Sequence, residues 1–226
     1  MAELIVALDF GSADEALRVA DSLPELRWAK VGPMLLLDGG PAVLRALKER
    51  GVRVFLDLKW HDIPNSVAGA VGAAARMGVD LATVHSLGGP EMISAARASA
   101  RDMQLVAVTV LTSHTPVEYW GVVGRSGGDD LEEEVTRLAR MAVDAGAHGV
   151  VSSPLEVGAV RRAVGPDALI VVPGIRPSGS ARGDQERTAE PAAAVTAGAT
   201  HLVVGRPITR AKNALRVYDS IRRELR

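Results

Sequence analysis

Apolar, β-branched runs alternate with helix-patterned segments from one end of the chain to the other, and this alternation limits the possible folds more than any other feature. Runs suited to buried strands fall at 4–8, 28–31, 52–58, 81–85, 105–111, 149–152, 168–172 and 201–204. Between them, apolar residues recur at helical spacing over 14–22, 41–50, 67–77, 91–100, 131–144, 155–164, 191–197 and 214–225. Ser12, Asn65 or Ser66, and Asp129 or Asp130 stand where the first, third and fifth helices need N-caps. Gly51, Gly78, Gly146, Gly165 and Gly198 stand at helix ends, just ahead of the next strand. Strands that read as nearly continuous apolar runs belong to a parallel sheet covered on both faces. Eight strand–helix units with no linker-like break predict an α/β chain folded as one (β/α)8 TIM barrel over residues 1–226, somewhat below the usual ~250 residues. An open doubly wound sheet shares the alternation. The barrel is expected because polar residues close many different strands rather than gathering at one switch point.

Of the 226 residues, 47% are hydrophobic and 23% charged, which supplies ample core material and excludes disorder as the dominant state. The net charge of -1 leaves no basic excess to attract nucleic acid or anionic lipid. With no cysteine, disulfides, thiolate nucleophiles and cysteine-bound zinc are excluded. The opening MAELIVALDF lacks the basic start and cleavage site of a signal peptide, and no apolar run reaches bilayer-spanning length. A cytoplasmic protein without membrane or nucleic-acid partners is expected. Only Lys30, Lys48, Lys59 and Lys212 among the 26 basic residues are lysine. A lysine kept at the end of an apolar strand in so arginine-rich a chain points to a task arginine does not perform, such as giving up a proton.

The third strand ends in charge, V-F-L-D-L-K-W-H-D over residues 54–62. Side chains two apart on a strand share a face, so Asp57 and Lys59 are expected to point together into the barrel mouth. Asp62 lies past the strand, where the Ile63-Pro64 step imposes an extended or turn geometry. An isolated D-x-K-x-x-D also describes an ordinary solvated ion pair at a strand–loop boundary. Here, however, Asp9 closes the first strand and Lys30 the second, so three successive strands deliver charge to one rim. Flanking carboxylates keep a lysine protonated, which weakens a Schiff-base role and favours fixed charges with a proton donor.

A second constellation follows the last two strands, as V-P-G-I-R-P-S-G-S-A-R-G-D-Q over 172–185 and V-V-G-R-P-I over 203–208. Loops in those positions of a barrel often hold phosphate through backbone N–H groups and a basic side chain. Glycine permits close backbone approach, and Arg176 and Arg206 are placed to pair with anionic oxygens. A phosphorylated ligand is expected.

Taken together, L-D-L-K-W-H-D-I-P-N, P-G-I-R, G-D-Q and V-V-G-R-P-I resemble the orotidine 5′-monophosphate decarboxylase family, in the order and spacing of its bacterial members, from Ala7-Leu8-Asp9 to Arg206. The resemblance implies cofactor-free decarboxylation of orotidine 5′-monophosphate to uridine 5′-monophosphate in de novo pyrimidine biosynthesis. It implies a catalytic tetrad of Lys30, Asp57, Lys59 and Asp62, with Lys59 as proton donor and Asp62 reaching into the partner's site of a homodimer. Asp9 matches the ribose-binding aspartate and Thr112 the position near the pyrimidine, while Ile63, Ser66 and Pro173 complete the substrate contacts. Arg176, Gln185, Gly205 and Arg206 match the phosphate and closing-loop positions, with closure over 177–185. Ser66 stands where many relatives carry threonine, and Trp60 where phenylalanine is common. Magnesium-dependent sugar-phosphate decarboxylases and hexulose-phosphate synthases share D-x-K-x-x-D but carry an acidic residue in place of Lys30 and lack the G-D-Q segment. A catalytically silent nucleotide-binding barrel is the rival from another class, and retention of all four tetrad charges opposes it.

None of His61, His85, His114, His148 and His201 forms an H-x-H or H-E-x-x-H pair, so no metal site is expected. His61 is expected to support the charged motif, and His85 to pack beneath or beside the mouth. Glu132, Glu133 and Glu134 read as a solvated helix start, and Arg222, Arg223 and Arg226 as a helix end suited to the dipole. Tyr119 and Trp120 lie on the long connection after the fifth strand, where they either cover the site or support the dimer.

Overall fold

The computed structural model describes residues 2–125, 130–177 and 187–225. Its eight strands are β1 (Glu3–Ala7), β2 (Trp28–Val31), β3 (Arg53–Trp60), β4 (Leu81–His85), β5 (Gln104–Val108), β6 (Gly149–Val151), β7 (Leu169–Val172) and β8 (His201–Val204). They run parallel in sequence order, and β1 closes the ring by pairing Val6 with both Ala29 of β2 and Val204 of β8. The helices are α1 (Ala13–Asp21), α2 (Pro33–Glu49), α3 (Pro64–Arg76), α4 (Gly89–Ser99), α5 (Pro116–Val122), α6 (Leu131–Asp144), α7 (Val157–Val164), α8 (Pro191–Ala197), α9 (Arg206–Thr209) and α10 (Ala214–Glu224). The closed ring decides between the barrel and the open sheet. No described helix is long and apolar enough to cross a membrane.

Strand alternation divides the interior in two. Ile5, Ala7, Trp28, Phe55, Leu81, Val106, Val171 and Val203 point inward and form a separate apolar cluster inside the barrel. Leu4, Val6, Ala29, Val54, Ala82, Leu105, Val150 and Leu202 face outward and join the larger layer between strands and helices. Burying each such Val, Leu or Ile contributes roughly 1.5–3 kcal/mol. The inward parity continues upward, from Ala7 to Asp9, Trp28 to Lys30, Phe55 to Asp57, Val171 to Pro173 and Val203 to Gly205. The polar positions at the mouth are therefore the next layer of the columns that fill the barrel. At β6, a Cβ on Gly149 would lie 1.9 Å from the Leu169 carbonyl oxygen, so only glycine lets β6 and β7 approach as they do.

The N-terminal end of the barrel is plugged by rings. His201 meets Trp28 edge-on with centroids 5.6 Å apart, and the Arg53 guanidinium lies 4.1 Å from the Trp28 ring centre. His201 Nδ1 and Thr200 Oγ1 are 2.9 Å apart.

Several local expectations are revised. The second helix begins at Pro33 and kinks at Gly40 (φ 54°) before Pro41, so its first half precedes the expected start. The third helix starts at Pro64 after Ile63, and neither Asn65 nor Ser66 caps it, because proline, its fixed φ suited to the first helical position, starts the helix early enough to put both inside its first turn. β5 ends at Val108, short of residue 111. Ser12 and Asp130 do cap α1 and α6, accepting from the backbones of Glu15 and Glu132, whereas Asp129 lies outside the described residues. Glu134 is not solvated: it is buried, accepts a bidentate pair from Arg137 and takes the Tyr119 hydroxyl at 3.0 Å. Tyr119 and Trp120 are both buried, so they pin α5 onto α6 and the core.

The buried imidazole at the barrel base makes the fold acid-sensitive. Burial, then the nearby Arg53 charge, pushes the His201 pKa down to about 4. An unfolded histidine takes its proton near pH 6.5 while the folded one stays neutral, so stability falls as pH drops through that window, by up to about 3 kcal/mol. Urea titrations of wild type and His201→Gln at pH 7 and pH 4.5 are expected to show a smaller acid loss in the variant.

Candidate active site at the mouth of the barrel

Asp57 stands at the centre of the charged rim. Its Oδ1 lies 2.9 Å from Lys59 Nζ and its Oδ2 3.5 Å from Lys30 Nζ, while Lys30 Nζ also meets Asp9 Oδ1 at 2.8 Å. Neighbouring strands thus present carboxylate, ammonium and carboxylate in turn, with a second ammonium returning from the end of β3. Burial alone would raise the Asp57 pKa, but the charges of Lys30 and Lys59 and hydrogen bonds from Lys59 and Thr83 outweigh it and hold the carboxyl below its usual range. The Lys30 and Asp57 side chains are only 12% and 13% exposed, whereas Lys59 is 39% exposed, which makes it the more open of the two lysines that line the cavity.

Asp57 and Lys59 do meet, as the spacing predicts, but not by plain strand alternation. The β3–β4 register shifts between Leu56↔Ala82 and Trp60↔Val84, so two more residues lie on β3 than on β4 across that stretch. Lys59 takes a left-handed backbone, φ 51°. Buried Thr83 secures this geometry: its hydroxyl accepts the Lys59 backbone N–H at 2.8 Å and donates to Asp57 Oδ1 at 3.1 Å. Among the described non-glycine residues only Lys59 and Arg101 have a positive φ, and of the two it is Lys59 that places this strain at the cavity. Thr83 escaped the sequence reading, although the inward parity Leu81–Thr83–His85 on β4 points to it.

The rim encloses a cavity of 770 Å³. Asp9, Lys30, Asp57, Lys59, Thr112, Pro173, Arg176, Gly205 and Arg206 all line it. Phe10, Glu15, Met34, Ser113 and Arg210 line it too and carried no sequence signal. Arg176 and Arg206 stand on the β7–β8 side. Burial, and then the Arg206 charge, draws the Arg176 pKa down, as expected where two guanidiniums share a site suited to an anion. Asp62, Ile63 and Ser66 are exposed and do not line this chain's cavity. Asp62 Oδ1 accepts the Ile63 N–H at 2.6 Å. Gln185 and the rest of 178–186 lie outside the described residues. His85 lies beside the mouth without lining it; its ring stacks on His61 at 5.4 Å and 18°, and its Nδ1 accepts the Leu87 N–H.

The profile of the "Orotidine 5'-phosphate decarboxylase / HUMPS family" matches residues 2–221. The chain belongs to this family. Among named family relatives, orotidine 5′-phosphate decarboxylase of Alkalilimnicola ehrlichii is 49% identical over 98% of this chain and 95% of its own length. The enzyme of that name from Anaeromyxobacter sp. (strain K) is 51% identical over 91% and 90%. The crystal structure of orotidine 5′-phosphate decarboxylase from Lactobacillus acidophilus superposes with a TM-score of 0.87 at 36% identity, covering 100% of this chain and 99% of that one.

The strained lysine gives a stability test that needs no substrate. Glycine relieves the left-handed strain and alanine does not, while both delete the ammonium equally. Lys59→Gly is expected to be more stable than Lys59→Ala by about 0.5–1 kcal/mol in urea unfolding, after allowing for the greater chain entropy of glycine.

Proposed function

We propose that this chain decarboxylates orotidine 5′-monophosphate to uridine 5′-monophosphate, as a cytoplasmic step of pyrimidine synthesis. The observation that carries the reading is the Lys59 ammonium, fixed 2.9 Å from Asp57 and open to the same cavity as Arg176 and Arg206. The bond from ring carbon 6 to the carboxylate breaks, carbon dioxide leaves, and the electron pair stays on carbon 6. The Lys59 ammonium stabilises that carbanion and then donates its proton to it. Asp57, beside the substrate carboxylate, opposes the ground state and pairs with both lysines. Lys30 balances Asp57 and Asp9, and Asp9 accepts from the ribose hydroxyls.

Arg176, Arg206 and the backbone near Gly205 and Pro173 hold the phosphate, together with Gln185, and Thr112 contacts the pyrimidine. Affinity for that remote group is realised in the transition state. Lys30 also favours this reading over a metal-dependent sugar-phosphate synthase, which requires an acid at its position.

The active unit is a homodimer in which Asp62, Ile63 and Ser66 complete the partner's site. In support, all three are exposed on their own chain, the apolar Ile63 to 65%.

Following substrate absorbance, Lys59→Ala is expected to lower kcat by ~10,000-fold while uridine 5′-monophosphate still binds. Wild-type protein that binds this nucleotide yet never consumes substrate would identify a silent binding protein. Mixing Lys59→Ala with Asp62→Ala subunits is expected to restore roughly a quarter of wild-type activity, because half of the reassorted dimers contain one intact site. No recovery after verified subunit exchange would exclude the shared site.

A further inference from the structure

Arg187 and Glu156 form a buried ion pair that neither the fold nor the proposed chemistry requires. Arg187 Nη1 lies 2.6 Å from Glu156 Oε1, and both side chains are more than nine-tenths buried. Glu156 precedes α7 as its N-cap residue, yet its side chain makes no cap hydrogen bond and turns to Arg187 instead. Arg187 Nη2 also reaches the Leu111 carbonyl, just before Thr112. As a stabiliser the pair is poor: Glu156 Oε2 and Arg187 Nε have no partner among the described residues, and a buried pair returns little beyond its desolvation. Its position is more telling. Ala189, two residues beyond Arg187, accepts the Arg176 backbone N–H at 2.9 Å, and Ile175 bridges to Ala189 in parallel.

We propose that the Arg187–Glu156 pair is a positioning device for Arg176, fixing the chain at 187–189 against the β5 and β6 loops so that the Arg176 backbone is held at the anion-binding side of the cavity. The inference rests on the reading of Arg176 as a phosphate ligand. Arg187 acts through the backbone and does not touch substrate.

The test compares a substrate that carries the phosphate with one that lacks it. In Arg187→Met, kcat/KM for orotidine 5′-monophosphate is expected to fall about 30-fold, while kcat/KM for orotidine changes by less than about threefold. Arg187→Lys keeps the charge and is expected to recover part of the loss. If Arg187→Met does not fold, as judged by circular dichroism, Glu156→Gln keeps volume and one hydrogen bond and is expected to shift the same ratio by about fivefold. An equal fall for both substrates, or no fall for either, overturns the proposal. Should the wild type turn over neither substrate, the decarboxylase reading fails by itself. The ratio of uridine 5′-monophosphate to uridine affinity, measured calorimetrically in the same variants, then tests the positioning separately.

Discussion

The structure depends on a carboxylate that would not stay ionised where it is without its two cations. Asp57 is removed from water at the top of the barrel lumen, and only Lys30 and Lys59, with the Thr83 hydroxyl, keep it charged there. The dependence is mutual. Asp57 gives two like-charged ammoniums a reason to face one cavity, and Asp9 balances the outer side of Lys30. Strands in a sheet lie ~4.8 Å apart, close enough for opposite charges on successive strand ends to pair and for like charges to repel. The alternation of sign from β1 to β3 is what that spacing demands.

The two ends of the barrel divide stability from chemistry. Its base is closed by Trp28, His201 and Arg53 in ring contacts, its middle is apolar, and its mouth is charged. Strain is likewise local. Lys59 carries a left-handed backbone at the mouth and Arg101 another in the turn before β5, while the apolar layers between have no share in it. Across the mouth, Arg176 and Arg206 form a separate cationic wall. Two unlike electrostatic regions facing one cavity suit a ligand with its reactive group at one end and its phosphate at the other.

Much of this was readable in the residues. Continuous apolar strands, regular helices between them and glycines at helix ends specified the barrel, because both faces of each strand had to be covered. Parity along each strand placed Asp9, Lys30 and Asp57 on the rim. The misses share one cause. Glu134, Thr83, Arg187 and Glu156 look like ordinary polar residues, and their roles come from partners 15, 24, 76 and 31 residues away in the chain.

By itself, then, the sequence determined the order and kind of the elements, the inward columns and the chemical types at the mouth, all of which follow from short-range periodicity. Only the tertiary structure decided that Lys59 reaches Asp57 through a register shift and a positive φ. Likewise, it turned Asp62, Ile63 and Ser66 away from their own chain's cavity and buried Glu134 against Tyr119. Those outcomes depend on which strand or helix lies alongside, and contacts between distant segments exist only once the ring has closed.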